Sequence, residues 1–318
     1  MKAKIILIDV GYLTHKSIYH YNKMVLLKEE LIENGEQEKA DALFIAPSTY
    51  TFMSSLISCL KKVGINDECS DKVILAADGR HSWRKDADLN YKGNRKEQRD
   101  EATGVNWDKE YEAHNNLLDK IEDSLPFFVV KAHGIEADDW IAYATRFFKD
   151  NLCVIVSVDA DFDQLLVADN VRIFSNHPKR KLCPYKILDL DRAKEKKKAY
   201  NSLMGKIRKE ASDNLISEVL TEEDYDNRKQ IVTLLELPQY VIDKMLPALE
   251  EIAPLVKEYF YPEAFGVGIC KKLLTLYDQD KIISYDSCRV KFEKKLIKKR
   301  KEDVKKKNEK KLGKLLHV

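Results

Sequence analysis

Three stretches of the chain are short, unbroken apolar runs rich in β-branched residues: KIILIDV (4–10), KVILAAD (72–78) and CVIVSVD (153–159). Runs of this length without polar alternation predict strands buried on both faces, as in a parallel sheet. VRIF (171–174) is a fourth candidate strand. Between the runs, apolar residues recur at helical spacing over 46–62, 107–124 and 137–149. That β-α-β rhythm predicts an α/β fold with an open, mostly parallel central sheet flanked by helices. Beyond about residue 186 the strand pattern stops. Helical periodicity takes over through 191–209, 222–235, 239–260 and 267–283. The expected organisation is a catalytic α/β unit over 1–186, a helical C-terminal subdomain over 187–288 and a Lys-rich tail over 289–318.

Composition narrows the class. With 318 residues, 44% hydrophobic and 34% charged, the chain is long enough for a substantial core. No apolar run approaches the roughly 18–20 residues of a membrane span. The opening MKAKIILIDVG lacks the length and cleavage site of a signal peptide. Six cysteines, at 59, 69, 153, 183, 270 and 288, form no CxxC pair and no cluster with the seven histidines. Reduced thiols, a cytoplasmic setting and no zinc site are the expectation. The formal charge of +2 conceals an asymmetry: residues 289–318 carry a net +10, leaving −8 for the rest. Such a tail is a solvated helix or arm, or an arm that follows phosphates.

The chemistry sits where the strands end. IILID, VILAAD and VIVSVD place Asp9, Asp78 and Asp159 at their carboxyl ends, with Asp161 two residues further on. In open α/β sheets that is the edge where ligands bind. HGIEADDWIAYA (133–144) adds Glu136, Asp138 and Asp139 at the start of a helix. Glu136 and Asp139 share a helical face, with Asp138 turned about 100° away. Any one of these acids alone is most often a turn former or a cap. Gathered in one crevice, they would repel one another and raise their pKa values. Hard divalent cations resolve that repulsion. Mg²⁺ binds carboxylates, water and phosphate oxygens. Two such ions about 3.5–4 Å apart can activate water and stabilise the leaving oxygen of a phosphodiester.

The segment SWRKDADLNYKGNRKEQRDE (82–101) interleaves Arg84, Lys85, Lys92, Arg95, Lys96 and Arg99 with Trp83 and Tyr91. Alone it reads as an exposed, salt-bridged helix. Beside a strand-terminal acid it reads as a guide for a phosphate backbone, with Trp83 or Tyr91 stacking a base. A Lys or Arg reaching the scissile phosphate would offset developing charge.

Taken in order, ILIDVG, LAADG, SWRKDADLNYKGNR, GIEADD and SVDADFDQLL resemble the 5′-nuclease (flap endonuclease) superfamily. Within it the chain is most similar to the bacteriophage RNase H type of 5′-3′ exonuclease and flap endonuclease, which removes RNA primers from lagging strands. The resemblance covers roughly residues 4–175. It implies a PIN-like sheet with a helical arch over about 80–115, and hydrolysis near the 5′ end of flap, nicked or RNA-primed duplexes. It implies two Mg²⁺ ions, with Mn²⁺ as a substitute. Asp9, Asp78, Glu136 and Asp138 would belong to one metal site and Asp159 and Asp161 to the other, with Asp139 between them. Lys92 and Arg95 would contact phosphate at the base of the arch, and Arg84 matches another basic position there. The implied partners are DNA or an RNA/DNA hybrid with a 5′ end, and replication proteins such as a sliding clamp or single-strand-binding protein. The protein would act as a monomer in the cytoplasm, the host's if phage-encoded.

The C-terminal part departs from the pattern. SLMGKIRKEASDNL offers Asp213, with Glu210 where the superfamily usually has Asp. The helix–three-turn–helix with its Gly-x-Gly hairpin is absent from its usual place. FGVGICKKLL (265–274) comes later in the chain, as a substitute grip or as an ordinary loop and helix start. Two alternatives stay open: a PIN-like ribonuclease acting on single-stranded RNA, and a non-catalytic nucleic-acid-binding scaffold.

Overall fold

The computed structural model describes residues 3–64, 71–93, 105–125, 127–175, 201, 204 and 221–258. Five parallel strands form its centre: β1 (Ile5–Asp9), β2 (Lys72–Ala76), β3 (Phe127–Val130), β4 (Cys153–Val156) and β5 (Val171–Phe174). Their spatial order is β3-β2-β1-β4-β5. The four expected strands are all present, trimmed to their apolar cores. β3, sequence FFVV, was not anticipated. Register is continuous across the middle, with Leu7 beside Ile74 on one side and Ile155 on the other. β1, β2 and β4 are buried along their whole length, as a sheet covered on both faces requires.

Alternate residues of each strand feed two cores. Ile6, Ile8, Val73, Leu75, Val154 and Val156 pack under α1 (Val10–Glu33), α3 (Ser48–Lys62) and α5 (Trp107–Ser124). The short α2 (Gln37–Ala42) links α1 to α3. Ile5, Leu7, Ile74, Ala76, Cys153 and Ile155 face the other way, onto α6 (Ala137–Phe147) and the 3-10 turn Asp161–Val167. α1 is a second element the pattern missed. It begins directly on the last strand residue, with Asp9 as its cap.

Two helices follow in the described C-terminal part, α7 (Glu222–Val232) and α8 (Gln239–Glu258). Val241, Met245, Leu249 and Ile252 of α8 join the core beneath the sheet. Burying each such side chain stabilises by roughly 1.5–3 kcal/mol, so α8 is anchored to the sheet layer. Three side chains staple the turn between α7 and α8. Gln164 Nε2 donates to Val232 O at 3.1 Å while its Oε1 accepts from Leu234 N at 3.0 Å. Arg146 donates to Leu234 O at 2.7 Å, and Arg84 Nε to Ile231 O at 2.8 Å. Arg84 comes from α4 (Trp83–Ala87), at the base of the expected arch. The boundary near 186, the hairpin at 265–274 and the basic tail lie outside the described residues. Among the described residues, no helix is long and apolar enough to cross a membrane.

Candidate functional site

The side on which successive strands are added switches between β1 and β4: β2 and β3 build outward on one side of β1, β4 and β5 on the other. A crevice opens at the carboxyl ends beside such a switch point. Asp9, the last residue of β1, is 9% exposed and bridges the two halves. Its Oδ1 accepts from Tyr12 N at 3.1 Å and its Oδ2 from Ser157 Oγ, just past β4, at 2.7 Å. Burial pushes its carboxyl up to about 6, against those hydrogen bonds, and Asp78 and Asp159 add repulsion. Asp78 stands at the mouth, its Oδ1 accepting from Ala137 N, the first residue of α6, at 2.8 Å. Gly11 leaves the floor open. A Cβ there would lie 3.3 Å from Asp9 Oδ1 and 3.9 Å from Asp78 Oδ2.

Asp138 turns into the same crevice. Loss of hydration raises its pKa well above the usual carboxylate range, and Asp159 and Asp9 raise it further against the pull of Lys92. Asp159 accepts from Asp161 N at 2.8 Å, so the 157–161 loop folds back on itself and presents Asp159 to solvent. Asp9, Asp78, Asp138 and Asp159 thus form one electrostatic cluster.

Glu136 and Asp139 do not share that role. They face the other way, onto a fully buried cationic fork. Arg84, 2% exposed, donates from Nη1 to Glu136 Oε2 at 2.8 Å and from Nη2 to Asp139 Oδ1 at 2.7 Å. Trp83 Nε1 and Glu136 N both donate to Asp139 Oδ2 at 3.0 Å, the second bond completing a capping box at the start of α6. Tyr91 OH donates to Glu136 Oε2 at 3.0 Å and Lys92 Nζ to Oε1 at 2.5 Å. Burial alone would raise the Glu136 pKa, but Lys92 and Arg84 outweigh it and hold the carboxyl at about 2.

Four expected site residues are placed otherwise. Arg84, Trp83 and Tyr91, expected to meet the substrate, are 2%, 2% and 5% exposed. Their polar atoms are spent on Glu136, Asp139 and Ile231. Asp139, expected between two ions, has both oxygens occupied inside the protein and no exposed surface. The reason is local. A helix start with acids three residues apart points two of them at one spot, and a planar guanidinium meets both. Lys92 is half-buried at φ +56° and reaches Glu136 from the turn after α4, beside the Asp138 side of the crevice. Lys85 is exposed on α4. Arg95, Lys96, Arg99, Glu210 and Asp213 lie outside the described residues. The residue-type argument gave Ser157, Gln164 and Arg146 no role. The S-x-D-x-D-F-x-Q element contains the first two, but no local pattern marks what they hold.

Among the described residues, no three His, Cys, Asp or Glu side chains stand close enough to grip an ion unaided. Mg²⁺ does not need three. It is commonly held by one or two carboxylates, with water and substrate phosphate completing the octahedron. An oxygen-only set of Asp9, Asp78, Asp138 and Asp159, with the buried Asp9 and the half-buried Asp138 disfavoured as anions, fits a hard divalent cation. A groove of about 1050 Å³ leads away from Asp78 between the loops after β2 and β3 and the flank of α5.

Residues 4–198 match the family model described as 5′-3′ exonuclease, N-terminal resolvase-like domain. Ribonuclease H of Enterobacteria phage T4 is 33% identical over 108 residues, 33% of this chain and 35% of that protein. The matched stretch thus spans about a third of that relative's length. Among solved structures, the bacteriophage T5 flap endonuclease in a pseudo-enzyme-product complex with DNA and metal ions is 18% identical. That match covers 87% of this chain and 97% of that one, with a TM-score of 0.47. The T5 protein co-crystallised with metal ions is 17% identical over 80% of this chain and 97% of that one, with a TM-score of 0.44.

Proposed function

The chain belongs to the 5′-3′ exonuclease family through its N-terminal resolvase-like domain, and from that premise we propose that it is a divalent-metal-dependent 5′-nuclease. It hydrolyses phosphodiesters near the 5′ end of flap, nicked or RNA-primed duplexes. The observation that carries this reading is the gathering of Asp9, Asp78, Asp138 and Asp159 at the switch point of the sheet. Their neighbours Glu136 and Asp139 are neutralised internally.

Bound Mg²⁺, or Mn²⁺ in its place, would supply Lewis acidity and an activated water at neutral pH. Asp9, Asp78 and Asp138 would hold one ion, and Asp159 with Asp161 a second. Ser157 and the Tyr12 amide fix the orientation of Asp9, and the Ala137 amide that of Asp78, before substrate arrives. Lys92, in the arch segment, stands beside the Asp138 side of the acid cluster, and Glu136 sets its position. It supplies positive charge to the phosphate as negative charge builds there. Arg84 acts on the reaction only through Glu136 and Asp139. On this reading the protein works as a cytoplasmic monomer on nucleic acid, alongside replication proteins such as a sliding clamp or single-strand-binding protein.

The test is a Mg²⁺ titration on a 5′-labelled flap substrate with product lengths read at single-nucleotide resolution, for the unaltered chain, Asp78→Asn and Asp159→Asn. Loss of about 4 kcal/mol of transition-state stabilisation, roughly a thousandfold in rate, is expected of each variant with its fold intact. Near-normal turnover by both would refute the site.

A further inference from the structure

The loops leaving β2 and β3 are zipped together. Gly79 N donates to Ile135 O at 2.7 Å, Trp83 N to Gly134 O at 2.9 Å, and Ser82 forms a parallel bridge with Gly134. The joined loops make a ledge at the carboxyl edge of the sheet, immediately beside Asp78. It carries positive charge from both loops on the exposed Arg80 and Lys131, with His133 exposed and His81 partly exposed beside them. The rings of His81 and His133 stack across the joint at 6.0 Å and 20°. α8 adds a third permanent cation, since Lys244 Nζ lies 3.4 Å from where a Cβ on Gly134 would stand.

These cations are not consumed by the fold. Among the described residues, Arg80, Lys131 and Lys244 take part in no ion pair. Lys131 Nζ donates to the neutral Asn115 Oδ1 at 2.5 Å. His81 Nε2 lies 2.8 Å from Asp86 Oδ1. Asp243, next to Lys244 in sequence, accepts from the Gln239 amide at 2.8 Å. Contrast Arg84, whose charge is cancelled in place.

The groove leading from Asp78 is lined by Arg80 and Lys131 together with Asp108, Glu112 and Asp119 of α5. Lys131 reaches across to Asn115 on that helix. A polyanion in the groove is repelled by the acids of α5 and attracted by the cations of the ledge.

We infer that Arg80, Lys131 and Lys244, with His81 and His133 between them, form a binding site for the nucleic-acid phosphate backbone, holding the substrate beyond the phosphate that reacts at the acid centre. This inference rests on the nuclease reading and adds a substrate contact that it lacked.

The experiment measures equilibrium binding of a fluorescent 5′-flap duplex to the full chain carrying Asp159→Asn, by anisotropy across a KCl series. The ledge variants are Arg80→Ala/Lys131→Ala and Lys131→Glu/Lys244→Glu, and the control is Lys23→Ala/Lys39→Ala on α1 and α2. Each backbone contact removed should lower the salt slope by about 0.9 and weaken binding by roughly tenfold near 0.1 M salt. The control should match the parent. Ledge variants that bind like the control, while the unaltered chain cleaves flap substrate, overturn the ledge and leave the nuclease standing. Ledge-dependent binding without any Mg²⁺-dependent cleavage upholds the ledge and removes the nuclease.

Discussion

Arg84 is the residue on which the acidic helix start depends. It holds two carboxylates that are 6% and 0% exposed. Arg84→Ala should destabilise the protein by about 3–5 kcal/mol, measured by urea unfolding, because Asp139 is left buried with no cationic partner and Glu136 with Lys92 alone. Arg84→Lys should recover only part of this, since an ammonium cannot bridge both carboxylates as the planar fork does. Asp9 makes a prediction of the opposite electrostatic sense. Its folded carboxyl is raised from 3.8 to about 6, so the stability it contributes is complete below pH 3.8 and is lost as pH rises through 6. The loss amounts to about 3 kcal/mol at most, and Asp138 acts in the same direction. A divalent cation relieves that loss. The rise in Tm on adding Mg²⁺ should therefore grow between pH 5 and pH 8; an equal rise at both would contradict the assignment. The strand-end acids were legible because each follows an apolar run whose direction is fixed by the sheet. The role of Arg84 was not. Nothing in SWRKD tells an arginine that enters the core from one that stays in water, because the difference is made by Glu136 and Asp139, more than fifty positions away.

At the scale of elements, the turn between α7 and α8 deserves a mutation of its own. Its carbonyls accept from side chains on α4, on α6 and on the 3-10 turn. It lies beyond the residues matched by the family model, yet it meets Arg84 directly and Gln164 in the loop after Asp161. Gln164→Ala removes one donor and one acceptor from a buried contact, at about 1–3 kcal/mol for each group left unmatched. Limited proteolysis should show faster cleavage near 231–238 in this variant than in the unaltered chain; an unchanged rate would mean that the staple is redundant. Element prediction from sequence worked where periodicity was clean, as in α5 and in the four longer apolar runs. It missed β3, which is as short as β5 but follows α5 with only Leu125 and Pro126 between, so its apolar run reads as a continuation of the helix's apolar positions. It missed α1 because that helix starts inside the strand pattern. Its second half is apolar on several sides, with Leu26, Leu27 and Ile32 exposed, so no single buried stripe repeats.

For the whole molecule, the doubly covered sheet sets the reaction at one edge and leaves substrate choice to what surrounds that edge. Competition between a 5′-flap DNA and an unstructured RNA of equal length is the measurement at this scale. The proposed activity requires the flap to be cleaved in preference, and preferential cleavage of the RNA would move the protein to the single-strand ribonuclease reading.

Gly79 shows how tightly that edge is drawn. A methyl group there would sit 2.0 Å from Ala132 O and 2.9 Å from Ile135 O, both of them main-chain atoms that no rotamer change can clear. Two stretches of gene some fifty codons apart are therefore bound to drift together. Any descendant that gives up the hydrogen at position 79 must also reroute the peptide between 132 and 135, and its Asp78 will then open onto a differently shaped surface.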